Sequence, residues 1–423
     1  MRKICDEVFG EENFFACVSW HKNYASANDA KRFSNVLDYI LVYRKSESFN
    51  RNLLPRTEKQ NCLYKYDSND GMGRWRSDNL SVKTYSSNYD YPITNPNTGV
   101  SYNPPNGRCW MTNKDTVERW INEGRIFFGQ DGKGAPQLKR YLNEVQQGVV
   151  PTTYWSYEDC GHNDQARKEI KELFEKPPFD TPKPTALIKQ ILKIGSEKDS
   201  IILDFFSGSG TTAHAVMQLN AEDGGNRQFI CVQLPEVCDE KTEAYKAGYK
   251  TICEIGKERI RRAGKKLTEN PSGQLSLEEK KPLDVGFKVL KLDTSNLAQW
   301  DSTPTEEKGA LFARLHEIEN SVKSDRTDLD VVYEVMLKLG IPLDYSVTEV
   351  QINDKKAYSI GENCLVLVCI DYGKDGITPE DVEKMCEFLP AKIVSTQQAF
   401  KDDIALSNAH YILKDRDIEI KLL

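Results

Sequence analysis

The stretch that decides the fold is SIILDFFSGSGTTAHAVM, residues 200–217. Its apolar first half predicts a β-strand, and the run after Gly210 predicts a helix. Between them, Phe206-Ser207-Gly208-Ser209-Gly210 has the composition of a tight turn. A glycine turn before a helix lets the backbone approach a ligand closely and directs the unpaired N–H groups of the first helical turn toward it. The same pattern occurs in strand-to-helix connections that bind nothing, so these residues alone leave both interpretations open.

A second segment, FDTPKPT at residues 179–185, precedes a short predicted helix with one apolar face that ends near Gly195. The chain therefore contains Lys183-Pro184-x-x-Leu187 and, further on, Asp204-x-Phe206-x-Gly208-x-Gly210. This pair of motifs, in this order, resembles the permuted amino-methyltransferases of DNA. Within that group it is most similar to the modification (Mod) subunit of type III restriction-modification systems.

The resemblance extends over nearly the whole chain. Matching segments are RKICDEVFGEENF at residues 2–14, WHKN at 20–23, DYILVYRK at 38–45 and TICEIGKERIRRAG at 251–264. The sequence is thus identified as a member of the Mod family from several separated motifs rather than from the glycine turn alone.

The resemblance implies a reaction and a cofactor. Members of this family transfer a methyl group from S-adenosyl-L-methionine to the exocyclic amine, N6, of an adenine flipped out of double-stranded DNA. In the family the glycine turn binds the cofactor and the Lys-Pro segment completes its pocket. The expected cofactor contacts are Lys183, Asp204, Phe206, Gly208, Gly210 and Thr211, with Thr211 also capping the helix that follows the turn.

The second predicted strand of this region, QFICVQ at residues 228–233, ends at Gln233. In nucleotide-binding folds an acid usually stands at this position and binds the ribose hydroxyls. The Gln233 amide can also hydrogen-bond to hydroxyls, and Glu236 is the alternative partner. No Walker lysine follows the glycines, which disfavours another class of nucleotide-binding enzyme.

The family's catalytic motif, Asp-Pro-Pro-Tyr, occurs nowhere in the 423 residues. In the permuted order it precedes the recognition region, and Met1 is expected to lie in the tail of a helix beyond it. The nearest imitation, Asn103-Pro104-Pro105-Asn106, lacks the ring that stacks on a flipped base and follows turn residues. We interpret it as a recognition-domain loop and predict no catalytic residue in this chain. The alternative hypothesis is a catalytically inactive DNA-recognition or assembly fragment.

We expect an α/β fold in which an incomplete Rossmann-like methyltransferase sheet carries an inserted, loop-rich target-recognition domain and a small C-terminal α/β domain. The predicted parts are 1–50 and 166–300 for the methyltransferase core, 51–165 for target recognition, and 301–423 for subunit contacts. The resemblance implies a second Mod subunit and the restriction (Res) subunit as partners.

The predicted recognition region is locally basic. Residues 51–150 contain 14 Lys and Arg against 10 Asp and Glu, a charge of +4 in a chain whose net charge is −7. Basic and aromatic residues interleave here, so Arg74, Arg76 and Arg108 are candidate contacts to DNA phosphates or guanine edges. Trp75 and Trp110 are interpreted as core anchors instead.

Two smaller predictions concern helices. The cations from Arg259 to Lys266 are interpreted as stabilising the C-terminal end of the helix predicted at residues 251–267, rather than as DNA contacts. In the C-terminal domain, a helix starting at Thr378-Pro379 is predicted to turn four side chains inward, those of Val382, Met385, Cys386 and Leu389.

The composition is ordinary for a globular protein, with 39% hydrophobic and 29% charged residues. No apolar run approaches the roughly twenty residues of a membrane span, and no signal-peptide core is present, so a cytoplasmic location is expected. The 11 cysteines include no Cys-x-x-Cys pair and suit reduced thiols. Cys160-Gly161-His162 offers too few ligands, and no metal site is predicted.

Overall fold

The computed structural model describes residues 1–26, 31–269, 282–297, 303, 309, 322–371 and 373–423. These residues form two compact units, Met1–Gly286 and Phe287–Leu423. The finer division into four parts stays a prediction.

The first unit opens with a helix and a β-hairpin: α1 Arg2–Phe9, β1 Phe14–His21 and β2 Leu37–Tyr43. The two strands pair antiparallel. The Arg2 guanidinium lies 3.5 Å from the centre of the Phe14 ring, and its Nε donates to Asp6 on the next turn of α1. These contacts fix the helix against the hairpin.

The next part of the unit is rich in short strands, which suits its content of turn residues. One antiparallel sheet has the strand order β3-β4-β10-β9, and two ribbons pair β5 with β8 and β6 with β7. The elements are α2 Glu58–Asn61, β3 Tyr66–Asp67, β4 Arg74–Asn79, β5 Ser81–Val82, β6 Ile93–Thr94, β7 Ser101–Tyr102, β8 Cys109–Trp110, α3 Lys114–Asn122, β9 Ile126–Phe127 and β10 Gln137–Tyr141.

Trp75 and Trp110 of this part are core residues, which confirms the sequence interpretation. Trp110 packs in an apolar cluster with Leu80 and Val117, and its Nε1 donates to the Tyr91 carbonyl at 2.7 Å. Trp75 is equally buried and packs edge-on against Phe127. Each indole N–H has a partner, as buried tryptophans require.

The remainder of the first unit alternates helices and strands. β11 adds to the free side of β1 in parallel, and β12 pairs in parallel with β13. The elements are β11 Tyr154–Trp155, α4 Tyr157–Cys160, α5 Asn163–Leu173, α6 Thr185–Gly195, β12 Ile201–Asp204, α7 Thr211–Asp223, β13 Gln228–Cys231, α8 Glu243–Lys246 and α9 Ile252–Glu269. The predicted strand, glycine turn, helix and second strand within residues 198–235 are thereby confirmed.

The two faces of the β12–β13 pair differ. Ile202 and Phe229 pack against the apolar side chains of α6 and α7. On the opposite face Ile201, Leu203 and Ile230 are 64%, 49% and 50% exposed. One face of this parallel pair is therefore covered by helices, and the other is an apolar surface open to solvent.

Helix α6 touches both parallel strand pairs. Its Leu187 packs with Trp20 of β1 and Trp155 of β11. Its Leu192 packs with Val216 of α7 and Ile202 of β12. The short helix that the sequence predicted after the Lys-Pro segment thus joins the two pairs through opposite sides of its surface.

The second unit is a five-stranded mixed sheet with the order β14-β15-β16-β17-β18 and helices around it. Its elements are α10 Asp328–Leu339, β14 Val347–Ile352, β15 Lys355–Ile360, β16 Val366–Val368, α11 Pro379–Cys386, β17 Lys392–Ser395, α12 Asp403–Lys414 and β18 Glu419–Leu422. Val382 and Met385 face inward as predicted. The prediction for Leu389 is wrong, because this residue lies beyond the end of α11 and is 82% exposed.

The described residues thus form a mixed α/β protein. None of the helices in these residues is both long enough and apolar enough to cross a membrane.

Candidate cofactor site

The glycine turn lies where β12 ends, next to the end of β13. Gly208 and Gly210 have φ of +51° and +76°, a backbone region that favours glycine. The Ser207 N–H donates to the Val232 carbonyl at 3.2 Å, and the Gly210 N–H donates to the Ser207 carbonyl at 2.7 Å. These bonds hold a compact turn that begins α7.

Asp204 ties the two ends of the turn together. One carboxylate oxygen accepts the Phe206 N–H at 3.2 Å, and the other accepts the Thr212 hydroxyl at 2.5 Å. Asp204 therefore connects the last residue of β12 to the first turn of α7. The Phe206 side chain is 81% exposed beside it.

Helix α9 packs directly behind the turn through another glycine. A Cβ atom on Gly210 would lie 3.1 Å from the Gly256 carbonyl oxygen, and one on Gly256 would lie 3.2 Å from the Gly208 carbonyl oxygen. These distances are shorter than ordinary side-chain contacts, so the absence of side chains at both positions allows the close approach.

Arg259, one turn further along α9, is fully buried behind the same turn. Its Nη1 donates to the Ser209 hydroxyl at 2.8 Å and to the Thr211 hydroxyl at 2.7 Å. Burial lowers the pKa of the Arg259 guanidinium to about 10, so it remains charged at neutral pH. The interpretation of Arg259 as a cation serving the helix end is therefore wrong, since it is a core residue in mid-helix.

The same contacts correct the cap assigned to Thr211. The residue at the N-cap of α7 is Gly210, and it has no side chain with which to cap the helix. Thr211 is the first helical residue, and its hydroxyl accepts from Arg259 instead of from a backbone N–H of the helix. Its expected contact with the cofactor stays a prediction.

Glu169 extends this network to the Lys-Pro segment. Its Oε2 lies 4.0 Å from Nη2 of Arg259 and accepts the N–H of Thr185, the first residue of α6, at 3.0 Å. Burial raises the pKa of the Glu169 carboxyl, although the Thr185 hydrogen bond and the Arg259 charge oppose that shift. One partly buried ion pair thus links the glycine turn to the start of the helix after Lys183-Pro184.

Lys183 lies on the side of the site formed by the hairpin. Its Nζ donates to Asp38 at 3.1 Å and lies 5.1 Å from the centre of the Trp20 ring. Asp38 also accepts from Lys22 at 2.6 Å. Burial would raise the pKa of Asp38, but the hydrogen bonds from the two lysines outweigh it and lower that pKa.

Gln233 contacts the glycine turn itself. Its Oε1 accepts the Gly208 N–H at 2.8 Å, and its Nε2 donates to the Leu234 carbonyl at 3.2 Å. Glu236, the alternative ribose partner, is exposed. The structure therefore brings Asp204, Phe206, Gly208, Gly210, Thr211 and Gln233 together at the ends of β12 and β13.

The three candidate DNA contacts have different surroundings. Arg74 is exposed at the start of β4. Arg108 donates from Nη2 to the Ser81 carbonyl at 2.7 Å, which ties its guanidinium to the ribbon formed by β5 and β8. Arg76 is half-buried, and its guanidinium lies over the ring of Tyr64. All three remain predicted DNA contacts.

Asn103-Pro104-Pro105-Asn106 lies in the connection between β7 and β8, where the Arg108 N–H donates to the Pro105 carbonyl at 2.9 Å. This is a loop of the strand-rich part of the first unit, as the sequence indicated.

Sequence reasoning missed Glu169, Asp38 and the role of Arg259. Each is a charged residue within an otherwise ordinary helix or strand pattern, so nothing local marks it. A hint was available only for Arg259, which stands three residues after Gly256 and hence on the same face of α9.

The buried His214 of α7 gives a pH-dependent prediction. Burial, followed by the nearby charge of Arg259, lowers the pKa of His214 to about 3. In the unfolded chain the pKa returns to about 6.5, so the unfolded state binds more protons between these values. The contribution of neutral His214 to the free energy of unfolding should therefore be fully present above about pH 6.5. Below that pH it should fall by about 1.4 kcal/mol per pH unit.

Urea unfolding at a series of pH values between these limits measures this slope. His214→Leu should reduce the slope of unfolding free energy against pH by the amount that corresponds to one proton. The matched control is His410→Leu, at an exposed histidine. An unchanged slope in His214→Leu would contradict the assignment of the protonation effect to His214.

Comparison with known proteins identifies the class to which this fold and site belong. Residues 1–263 match the family model of DNA methylases, which covers more than half of the 423 residues. The chain therefore belongs to the DNA methylase family.

Within this family the chain is similar to the Mod subunit of the type III restriction-modification enzyme StyLTI from Salmonella typhimurium, with 37% identity over 70% of this chain and 43% of that protein. It is 31% identical to the EcoPI Mod subunit of Escherichia phage P1, over 68% of this chain and 47% of the relative. The type II methyltransferase M.KpnI of Klebsiella pneumoniae is 30% identical over 60% of this chain and 64% of that protein. The resemblance to Mod subunits is thus confirmed, and the chain spans about half the length of the Mod subunits that it matches.

Proposed function

We propose that this chain is part of a site-specific DNA methyltransferase of the type III Mod kind, which transfers a methyl group from S-adenosyl-L-methionine to N6 of a flipped adenine. The observation that carries the proposal is the network at the end of β12. There, a glycine turn, the Lys-Pro segment and α9 are joined through Arg259 and Glu169. The 37% identity to the StyLTI Mod subunit over most of this chain supports the same function.

The architecture supports a Rossmann-like core built from both ends of the first unit. The pair β12–β13 and the sheet β11-β1-β2 share α6 as a common packing partner. We propose that both belong to one methyltransferase sheet, with residues 51–165 inserted as the target-recognition domain and residues 301–423 making subunit contacts.

The residues of the turn fit the proposed cofactor. Apart from the Phe179 ring at 3.5 Å from its ideal Cβ position, the nearest atom around Gly208 is the Phe206 carbonyl oxygen at 3.9 Å, so a ligand can approach the backbone there. Bound S-adenosyl-L-methionine supplies an activated methyl group. The N–H groups at the start of α7 would hold a polar group of it, and Lys183 would close the opposite side. Gln233 would have to release the Gly208 N–H before its amide reached a ribose hydroxyl.

The strand-rich part of the first unit would read the DNA. Arg74, Arg76 and Arg108 would contact double-stranded DNA there, in a region whose charge is +4. A second Mod subunit and the Res subunit complete the proposed set of partners, in the cytoplasm.

Equilibrium dialysis with tritiated S-adenosyl-L-methionine tests the cofactor assignment. We expect saturable binding that S-adenosylhomocysteine displaces, and a loss of about tenfold in affinity for Gly208→Ala, because a methyl group would stand between the backbone and the ligand. The control is Gly124→Ala, a position with a similar φ of +70° and open space around it. The absence of saturable binding, or equal binding by Gly208→Ala and the control, would refute the assignment.

A further inference from the structure

A small cavity lies in the strand-rich part of the first unit, away from the glycine turn. Its volume is about 350 Å³, and its lining includes Arg56, Gln60, Tyr64 and Arg76 together with valines of residues 145–150. Two cations line the cavity, and the lining contains no aspartate or glutamate. It is therefore a positively charged site with partly apolar walls.

Both guanidinium groups lie over the same buried aromatic ring. The Cζ atoms of Arg56 and Arg76 are 5.3 Å and 5.5 Å from the centre of the Tyr64 ring, and Tyr64 is only 4% exposed. The π-face of a tyrosine attracts cations, which offsets part of their mutual repulsion. Both arginines thus contact one ring and line one concave site.

The two arginines have few partners of their own. Arg56 donates from Nε to the Asn61 side chain at 3.1 Å, and the buried Nε of Arg76 has no hydrogen-bond partner among the described residues. The residues that line the cavity offer neither guanidinium a carboxylate partner. An anion that entered the cavity would therefore meet guanidinium groups with donors still available.

The backbone around the cavity is well fixed. Leu54 and Val149 exchange two backbone hydrogen bonds of 2.9 Å and 2.8 Å, and Thr57 forms a reciprocal capping box with Gln60. Arg76 lies within β4, opposite Arg140 of β10. The arginines are therefore presented from paired backbone segments, so little ordering is needed when a ligand binds.

We propose that Arg56 and Arg76 form a binding site for one phosphodiester group of the DNA backbone, with the valine wall against the adjoining sugar. A guanidinium fork matches phosphate oxygens, and two forks facing one cavity can bind both free oxygens of a phosphodiester. This inference rests on the proposed function and deepens it. The proposal adds Arg56 to the predicted DNA contacts, beside Arg76. It also assigns both arginines to the DNA backbone, so their binding should not depend on the DNA sequence.

Fluorescence anisotropy of the full chain with double-stranded oligonucleotides over a range of potassium chloride concentrations tests the site. The double variant Arg56→Gln with Arg76→Gln should reduce the magnitude of the slope of log affinity against log salt by about 0.9, the value for one neutralised phosphate, and each single variant should give part of that reduction. The loss should be the same for two oligonucleotides of unrelated sequence, since a phosphate contact carries no sequence information.

Arg119→Gln is the matched control, because this arginine belongs to the same part of the chain and is already paired with Glu123 on α3. Arg56→Lys provides a second variant that keeps the charge but loses the fork. It should retain the salt slope and lose affinity, a result that a misfolded protein would not give.

An unchanged salt slope in the double glutamine variant would overturn the site and leave the proposed function standing. A loss confined to one DNA sequence would also overturn it, because the arginines would then read bases. If the unaltered chain fails to bind either oligonucleotide at low salt, the DNA-binding part of the proposed function fails and the site fails with it.

Discussion

Replacing Arg259 with alanine is expected to destabilise the first unit by about 3–5 kcal/mol, the usual cost of removing one partner from a buried ion pair. The change removes the cation that lies 4.0 Å from the partly buried Glu169 carboxylate and takes two donated hydrogen bonds from the hydroxyls of Ser209 and Thr211. It also leaves a cavity behind the glycine turn, because the Arg259 side chain is fully buried.

Denaturant unfolding of the full chain measures this effect. Lys265→Ala is the control on the same helix, since that side chain is 75% exposed and forms an exposed ion pair with Glu269. The control should change stability by less than about 0.5 kcal/mol. The double variant Arg259→Met with Glu169→Gln should recover much of the loss, because no buried charge remains unpaired. A loss below about 1 kcal/mol for Arg259→Ala would show that the network contributes little.

The second large effect is an absence of activity. A polypeptide of these 423 residues, tested alone, is expected to transfer no methyl group to DNA, because Asp-Pro-Pro-Tyr occurs nowhere in it. Transfer requires groups that hold the adenine amine in line with the methyl donor, and a displacement of about 1 Å can lower the rate about 100-fold. Loss of the holding groups altogether should remove the reaction.

The measurement is tritium transfer from labelled S-adenosyl-L-methionine to unmethylated double-stranded DNA, with an active methyltransferase in a parallel reaction as the positive control. Incorporation at adenine N6 by this chain would contradict the prediction. Asn103→Ala would then be the first variant to make, because Asn103-Pro104-Pro105-Asn106 is the nearest imitation of the missing motif.

The sequence predicted those parts of the fold that depend on local patterns. The strand, glycine turn and helix around Gly208 follow from an apolar run and residues suited to positive φ, and the structure has them where expected. Trp75 and Trp110 were recognisable as core residues because large aromatic rings among turn residues are usually buried.

What the sequence could not predict depends on contacts between distant segments. The burial of Arg259 follows from the approach of Gly256 to the turn, 46 positions away from Gly210 in the numbering, and the spacing of Gly256 and Arg259 on α9 is its only local sign. Thr211 was expected to cap α7 because threonine often does so, but the donor that reaches its hydroxyl comes from α9. Tertiary contacts decided both outcomes.

The solvent-exposed apolar face of β12 and β13 should also affect self-association and solubility of the purified protein. Ile201, Leu203 and Ile230 present a contiguous apolar surface to water, and such surfaces attract one another. If copies associate through that face when folded, the unfolding midpoint rises with protein concentration by mass action. Sulfate and phosphate strengthen apolar burial and should hasten precipitation. Variants are therefore comparable only at one matched, low protein concentration in a weakly salting-out buffer.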